Sequence, residues 1–150
     1  MQRDLSLPNE AATLALGAAL ARGVAPGRAL HLRGELGAGK TTLARGLLRA
    51  LGYEGRVKSP TYTLVELYPL SSLNLYHFDF YRFADEDEWL SAGFRDYFNP
   101  DSACIVEWPE RAGEGAWPGA LRLNLEFAEA GARRLTAEVP PAWEDRWPPR

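Results

Sequence analysis

One segment of this 150-residue chain restricts its fold more than any other, the glycine-rich loop at 34–41. Gly34 and Gly39 enclose four residues and are followed by Lys40 and Thr41, which is the spacing G-x-x-x-x-G-K-[ST]. This spacing lets successive backbone N–H groups turn inward around a phosphate, because a side chain at either glycine would obstruct the loop. The pattern also requires a strand before the loop and a helix after it, so it predicts an α/β fold.

The residues around the loop have the patterns that this context requires. A short strand is predicted at 28–33, ending at the loop. Leucines recur on one face of the helix predicted after the loop: Leu43, Leu47, Leu48 and Leu51. Gly52 supplies the stop for that helix. Upstream, Asn9 is a good helix N-cap, and the Ala- and Leu-rich run after it predicts a helix that ends near Gly23.

Two β-type runs follow, at 61–68 and 74–83, and the turn residues between them predict an antiparallel hairpin. Alternation in the second run puts Tyr76, Phe78 and Phe80 on one face and His77, Asp79 and Tyr81 on the other. We expect the aromatic face to lie in the core and the polar face to line a site. Asp85 and Glu88 then resemble a capping box that opens a short helix ending at Gly93.

The last third of the chain predicts further strands. The apolar run 103–106 is typical of a strand buried on both faces, and it ends in Glu107. Alternating apolar residues at 121–127, followed by a further strand at 134–139, predict a hairpin added to the sheet.

These elements form a single domain without an internal repeat. We predict one P-loop domain at 1–139 with an α/β fold, a P-loop NTPase-like three-layer sandwich with a mixed central sheet. The segment 140–150 is rich in proline, and we expect it to be a loose C-terminal tail.

Charge and composition exclude several classes of protein. A formal net charge of -3 argues against a strongly basic nucleic-acid binder, so any contact with RNA is expected to be indirect or shared with a partner. One cysteine, Cys104, and two histidines supply neither an internal disulfide nor a zinc-ligand set. The N-terminus lacks the apolar core of a signal peptide, and no stretch approaches the ~18 apolar residues of a membrane span. We therefore expect a cytoplasmic protein that does not enter a membrane.

Five residues carry the predicted chemistry. Lys40 is expected to reach the β- and γ-phosphates of a bound nucleotide, and the Thr41 hydroxyl to bind magnesium. Glu107 ends a buried strand, where an acidic residue can hold magnesium directly or through water; the alternative is a carboxylate at a solvated strand end. Asp79 either orients the attacking water or supports the metal, or it is an outward solvated residue. Trp108 either walls the nucleotide pocket or belongs to the core.

Four motifs occur together in a fixed order. They are Gly-Glu-Leu-Gly-Ala-Gly-Lys-Thr-Thr at 34–42, Ser-Pro-Thr-Tyr-Thr at 59–63, His-Phe-Asp-Phe-Tyr-Arg at 77–82 and Ile-Val-Glu-Trp-Pro-Glu at 105–110. With these motifs the chain resembles the bacterial TsaE (YjeE) family over about residues 7–127. That family is the ATPase subunit of tRNA threonylcarbamoyladenosine biosynthesis. The resemblance implies a weak, magnesium-dependent ATPase that acts with the TsaB and TsaD proteins.

The resemblance also implies roles for individual residues. It makes Lys40, Asp79 and Glu107 the catalytic candidates, and Thr41 and Glu107 the magnesium ligands. The ATP phosphates would be bound by Gly37, Ala38, Gly39, Lys40, Thr41 and Thr42.

Four further segments have weaker implied roles. Thr13 would lie near the adenine and Trp108 close to the nucleotide. Residues 59–63 match a switch-like loop, with Tyr62 where the family commonly has Phe; from composition alone this segment is only a turn. A nucleotide contact from Arg133 or Arg134 is a suggestion, because the family varies there.

Two other functions use the same loop. A small-molecule kinase, of the nucleoside type, would transfer phosphate to an acceptor, but such kinases have an Arg-rich lid, and no Arg-dense insertion follows the loop helix. A binding module without turnover would use ATP only to stabilise a docking surface. The absence of an Asn-Lys-x-Asp guanine motif favours ATP over GTP only weakly.

Overall fold

The structure, a computed structural model, describes residues 1–58, 60, 63–70, 73–83, 88, 93–97, 99–112 and 119–147. These residues form a mixed sheet and two α-helices. The elements in chain order are β1 (Gln2–Leu7), α1 (Glu10–Leu20), β2 (Ala29–Gly34), α2 (Lys40–Ala50), β3 (Val65–Pro69), β4 (Asn74–Asp79), β5 (Ser102–Glu107), β6 (Leu121–Phe127) and β7 (Arg133–Glu138). In the described part, no helix is both long and apolar enough to cross a membrane.

The sheet has the strand order β1-β7-β6-β2-β5-β4-β3. The four central strands, β6, β2, β5 and β4, pair in parallel. The outer strands β3, β7 and β1 pair antiparallel to their neighbours. The predicted α/β fold with a mixed sheet is therefore confirmed, and the P-loop strand β2 lies in the middle of the sheet. Strand β1 was not predicted; it pairs with β7 at one edge.

Helices α1 and α2 begin where the sequence indicates and pack closely together. The Asn9 side chain caps α1 by accepting a hydrogen bond from the Ala12 N–H at 2.9 Å. A Cβ on Gly17 would collide with the Leu43 carbonyl oxygen, and one on Gly46 with the Leu14 carbonyl oxygen. The two glycines therefore allow the helix backbones to approach each other.

The sheet separates two apolar clusters. One cluster joins leucines of α1 and α2, such as Leu20 and Leu47, to Leu32 and Leu123 of the sheet. The other lies on the opposite face and contains the aromatic side chains of β4, including Phe78. In the described residues, both α-helices thus cover the same face. On the other face, the second cluster also takes in side chains from described segments between the strands: Phe80, Phe83, Ala112 and Ala120.

The predicted central hairpin is confirmed, but its strands are shorter than the β-type runs. β3 and β4 pair antiparallel over 65–69 and 74–79. After β4 the chain turns, with the Phe83 N–H donating to the Phe80 carbonyl at 2.9 Å, so Tyr81 lies beyond the strand. The capping box at Asp85 and most of the helix predicted up to Gly93 lie outside the described residues.

The C-terminal hairpin is also confirmed, as β6 and β7. Its apolar alternation ends at Leu125, because Phe127 is 55% exposed.

The prediction of a loose C-terminal tail is wrong for residues 140–147. This segment forms a short 3-10 helix, Pro141–Arg146, that places Trp143 in the core with 1% exposure. Arg28 lies 5.5 Å from the centroid of the Trp143 ring, and a Cβ on Gly23 would collide with that ring. The free energy gained by burying the indole ring exceeds the preference of the surrounding prolines for an extended chain.

Candidate functional site

The candidate site lies at the edge of the sheet where β2, β5 and β4 end. Leu32 pairs with Glu107, and Glu107 pairs with Asp79, so the two carboxylates end neighbouring parallel strands. Helix α2 starts just after β2, and its residue Thr41 lines the same cavity as both carboxylates. Open α/β sheets bind their ligands at this carboxyl edge.

The loop between β2 and α2 has a backbone that favours glycine. The φ angles of Gly34, Gly37 and Gly39 are 148°, 82° and 110°. A Cβ on Gly34 would also lie only 2.6 Å from the Leu125 carbonyl oxygen. The first amides of α2 have no acceptor within the helix, and they carry its positive end. This arrangement suits an anion such as a phosphate.

Lys40 is the first residue of α2 and is only 5% exposed. Its Nζ donates to the Gly34 carbonyl oxygen at 2.5 Å and lies 4.0 Å from the centroid of the Trp108 ring. Burial lowers the pKa of Lys40, and the charges of Glu107 and Asp79 oppose that shift. An anion beside this ammonium would compensate for its desolvation.

Glu107 meets two side chains from other elements. It is 3% exposed, and its Oε2 lies 2.6 Å from Nε2 of the fully buried His77. The Thr41 hydroxyl donates to the same oxygen at 3.4 Å. The two predicted magnesium ligands are therefore neighbours, and Glu107 is not a solvated strand-end residue.

His77 has a contact in the site that the sequence did not predict. Strand alternation put it on the polar face of the hairpin, but no role was predicted for it. Its contact with Glu107 joins β4 to β5, and its other ring nitrogen, Nδ1, is buried without a hydrogen-bond partner among the described residues. The signal in the sequence was its position two residues before Asp79 on the same face of the strand.

Asp79 and Trp108 complete the wall of the site. Asp79 is 2% exposed, and its Oδ1 accepts a hydrogen bond from the Tyr81 N–H at 2.8 Å, so it is not an outward solvated residue. Trp108 has a φ of 58°, and its N–H donates to the Leu32 carbonyl at 3.2 Å. Its ring packs 4.8 Å from that of Tyr81, centroid to centroid.

These residues surround a cavity of about 230 Å³. Its lining residues are Leu36, Gly37, Gly39, Lys40, Thr41, Thr42, Asp79, Glu107 and Trp108. Two predicted nucleotide contacts lie beside this lining. The first is Thr13, which is buried behind the loop, where its Cγ2 would be 3.6 Å from a Cβ on Gly39. The second is Ala38 within the loop, whose N–H donates to the Glu35 carbonyl at 3.0 Å. Their roles stay predictions.

The predictions for the switch-like loop and for Arg133 have other outcomes. In the switch-like loop, Ser59, Thr61 and Tyr62 lie outside the described residues. Arg133 reaches the P-loop, but its described hydrogen bonds go to backbone carbonyls, including those of Gly37 and Ala38. Sequence spacing could not reveal this contact, because the partners are about 95 residues apart.

The donor set at the site suits a magnesium ion that also takes phosphate and water oxygens. Across the described residues, no group of three or more His, Cys, Asp and Glu side chains could hold a metal by itself. Magnesium keeps several waters and uses one or two protein oxygens together with substrate phosphates. One hydroxyl, on Thr41, and one carboxylate, on Glu107, meet that requirement.

Comparison with known proteins gives consistent matches. A protein named tRNA threonylcarbamoyladenosine biosynthesis protein TsaE from Haemophilus influenzae is 52% identical over 99 residues, which are 65% of this chain and 62% of that protein. A protein of the same name from Bacillus subtilis is 40% identical over 111 residues, 74% of this chain and 69% of the relative. The chain thus spans somewhat less than two thirds of the Haemophilus protein.

A solved structure and a family model give the same assignment as these relatives. A crystal structure of YdiB from Bacillus subtilis superposes with a TM-score of 0.80 at 30% identity, covering 97% of this chain and 91% of that one, which supports the P-loop NTPase-like fold. The family model described as "Threonylcarbamoyl adenosine biosynthesis protein TsaE" matches residues 7–135. Because that match covers most of the chain and includes the loop, Asp79 and Glu107, this protein belongs to the TsaE family.

Proposed function

We propose that this chain is an ATP-binding, slowly hydrolysing subunit that acts with the TsaB and TsaD proteins in threonylcarbamoyladenosine modification of tRNA. One observation carries the proposal: the P-loop, Lys40, Thr41, Asp79 and Glu107 line a single cavity. The names of the relatives supply the pathway. The net charge of -3 supports an indirect contact with tRNA, through partners.

The phosphates of ATP would bind at the start of α2. The amides of residues 37–42 would donate to phosphate oxygens, the Ala38 N–H only after leaving the Glu35 carbonyl. The Lys40 ammonium would neutralise charge on the β- and γ-phosphates. Lys40 is held in the cavity wall by the Gly34 carbonyl and the Trp108 ring, so little side-chain freedom remains to be lost on binding.

Thr41 and Glu107 would hold magnesium, directly or through water. The ion would supply charge neutralisation to the phosphates. His77 supports this role, because its Nε2 fixes the orientation of the Glu107 carboxylate from behind.

Asp79 would orient the attacking water. Its carboxylate lines the cavity, and the Tyr81 amide holds one of its oxygens. Trp108 would lie against the nucleotide, and Thr13 near the adenine side of the loop.

The proposed action with TsaB and TsaD is tested with purified components. We expect the isolated chain to bind ATP and ADP with magnesium and to hydrolyse ATP slowly, with stimulation or complex formation when TsaB and TsaD are added. Lys40→Ala and Thr41→Ala should abolish hydrolysis. Lys58→Ala is a matched control, since Lys58 is the other lysine of the chain and is exposed.

Two outcomes would favour the alternatives. Rapid phosphorylation of nucleosides without partners would indicate a kinase. Nucleotide-dependent complex formation without any turnover, alone or with partners, would indicate a binding module.

The two carboxylates are separated by their variants. Glu107→Ala should weaken magnesium-dependent ATP binding, because a metal ligand is lost. Asp79→Ala should leave binding largely intact and slow hydrolysis by about 10²–10⁴-fold, the range for a lost acid-base group. Wild-type binding and turnover in both variants would remove them from the site.

A further inference from the structure

The guanidinium of Arg133 joins two loops through backbone carbonyls. Arg133 is the first residue of β7 and follows the turn at 128–132. Its Nε donates to the Ala38 carbonyl at 3.1 Å, and its Nη2 donates to the Gly37 carbonyl at 3.2 Å. Its Nη1 donates to the carbonyls of Gly131 and Ala132 at 3.0 and 3.1 Å. One side chain therefore ties the end of the β6–β7 hairpin to the P-loop.

An aromatic ring supports the guanidinium. Cζ of Arg133 lies 4.6 Å from the centroid of the Phe127 ring, which accounts for an exposed phenylalanine at the end of β6. The same ring approaches the loop, because a Cβ on Gly37 would lie 3.8 Å from its Cζ. The planar fork of arginine can serve several acceptors at once, whereas a lysine ammonium in its place could not reach all of them.

Holding these carbonyls also orients the amides on the other side of the same peptide units. In a planar trans peptide the C=O and the following N–H point in opposite directions. Fixing the Gly37 and Ala38 oxygens therefore fixes the N–H groups of Ala38 and Gly39. The Ala38 N–H donates to the Glu35 carbonyl at 3.0 Å, so of these two amides it is that of Gly39 that would meet a phosphate. Gly37 and Gly39 have positive φ angles and no side chain of their own to restrain them, so an external restraint matters most here.

We propose that Arg133 is a positioning residue that holds the backbone of residues 37–39 in its phosphate-binding conformation without touching the nucleotide itself. This proposal rests on the proposed function, since it concerns the affinity of the same site. It differs from a direct contact between Arg133 and the phosphates, in which any positive charge would serve.

The first test needs no nucleotide. Amide hydrogen exchange at Ala38, whose N–H donates to the Glu35 carbonyl within the loop, is measured by NMR in the free protein and in Arg133→Ala and Arg133→Lys. We expect exchange to accelerate about tenfold or more in both variants, since the loss of one or two net hydrogen bonds corresponds to that factor. Arg28→Lys is the matched control, because Arg28 also donates to a carbonyl, that of Gly23, and stacks on an aromatic ring, but at the other end of β2. It should leave exchange at the Ala38 amide unchanged.

The second test measures ADP and inorganic phosphate binding by calorimetry. Both Arg133 variants should bind ADP about tenfold more weakly, so Arg133→Lys should not restore the ADP affinity of the wild type. Restoration of wild-type affinity and exchange by Arg133→Lys, or unchanged exchange in both variants, would overturn the proposal. If Arg133→Ala does not fold, Arg133→Lys alone carries both measurements. If the wild-type protein bound no nucleotide while the exchange result held, the proposed function would fail and the structural role of Arg133 would stand.

Discussion

The contact between His77 and Glu107 gives a prediction that separates a site role from a core role. The perturbation is His77→Asn, which removes the ring nitrogen 2.6 Å from Glu107 Oε2 while keeping a polar side chain. His77 is fully buried and Glu107 is 3% exposed, so water cannot easily replace the lost partner. The variant then leaves the Thr41 hydroxyl, at 3.4 Å, as the described side-chain partner of that oxygen.

The size of the effect follows from this burial. A hydrogen bond to a charged group contributes about 1.5–3 kcal/mol, and we expect the free energy of unfolding to fall by that amount. Loss of a partner behind a metal ligand weakens metal affinity by about 10–100-fold. The magnesium concentration that half-saturates ADP binding should therefore rise by about that factor.

The assay combines urea unfolding with a magnesium titration of ADP binding by calorimetry. The matched control is His31→Asn, since His31 is also fully buried but lies in β2 on the opposite face of the sheet. We expect this control to lose stability and to keep the magnesium dependence of the wild type. A His77→Asn protein that loses stability but titrates with magnesium like the wild type would refute the reasoning and make His77 a core residue only.

Two other outcomes follow from the structure. Burial, with smaller contributions from Arg122 and Arg33, lowers the pKa of His31 to about 3, from 6.5 when unfolded. Protons therefore bind the unfolded chain first, and this group should cost about 2 kcal/mol of stability at pH 5 relative to pH 7. Urea unfolding at both pH values should show that loss in the wild type and a smaller one in His31→Asn; equal losses would contradict it. Trp143→Ala should lower stability by about 3–5 kcal/mol, whereas Trp147→Ala, at a half-buried position, should cost clearly less. Urea unfolding of both variants checks this, and a Trp143→Ala protein as stable as the wild type would mean that the C-terminal segment is loose.

Local sequence determined the elements that build the site. The strand, the glycine-rich loop and the helix after it depend on short-range rules: positive φ at glycines, helical leucine spacing and a terminal Gly52. Alternation in β4 and the apolar run of β5 were enough to put Asp79 and Glu107 at strand ends. Since the carboxyl ends of parallel strands meet at one edge, those patterns also implied that the two carboxylates are close. Their roles, the bound nucleotide and a cytoplasmic location stay predictions.

Only the tertiary structure decided which side chains hold these residues in place. The partner of Glu107 is His77, from another strand, and the P-loop carbonyls are bound by Arg133, about 95 residues further along the chain. Burial of Trp143 against the region of Gly23 likewise turned a proline-rich segment into part of the fold. Such contacts join residues that are distant in sequence, and their free energy comes from desolvation and hydrogen bonding in the assembled core, so no local pattern encodes them.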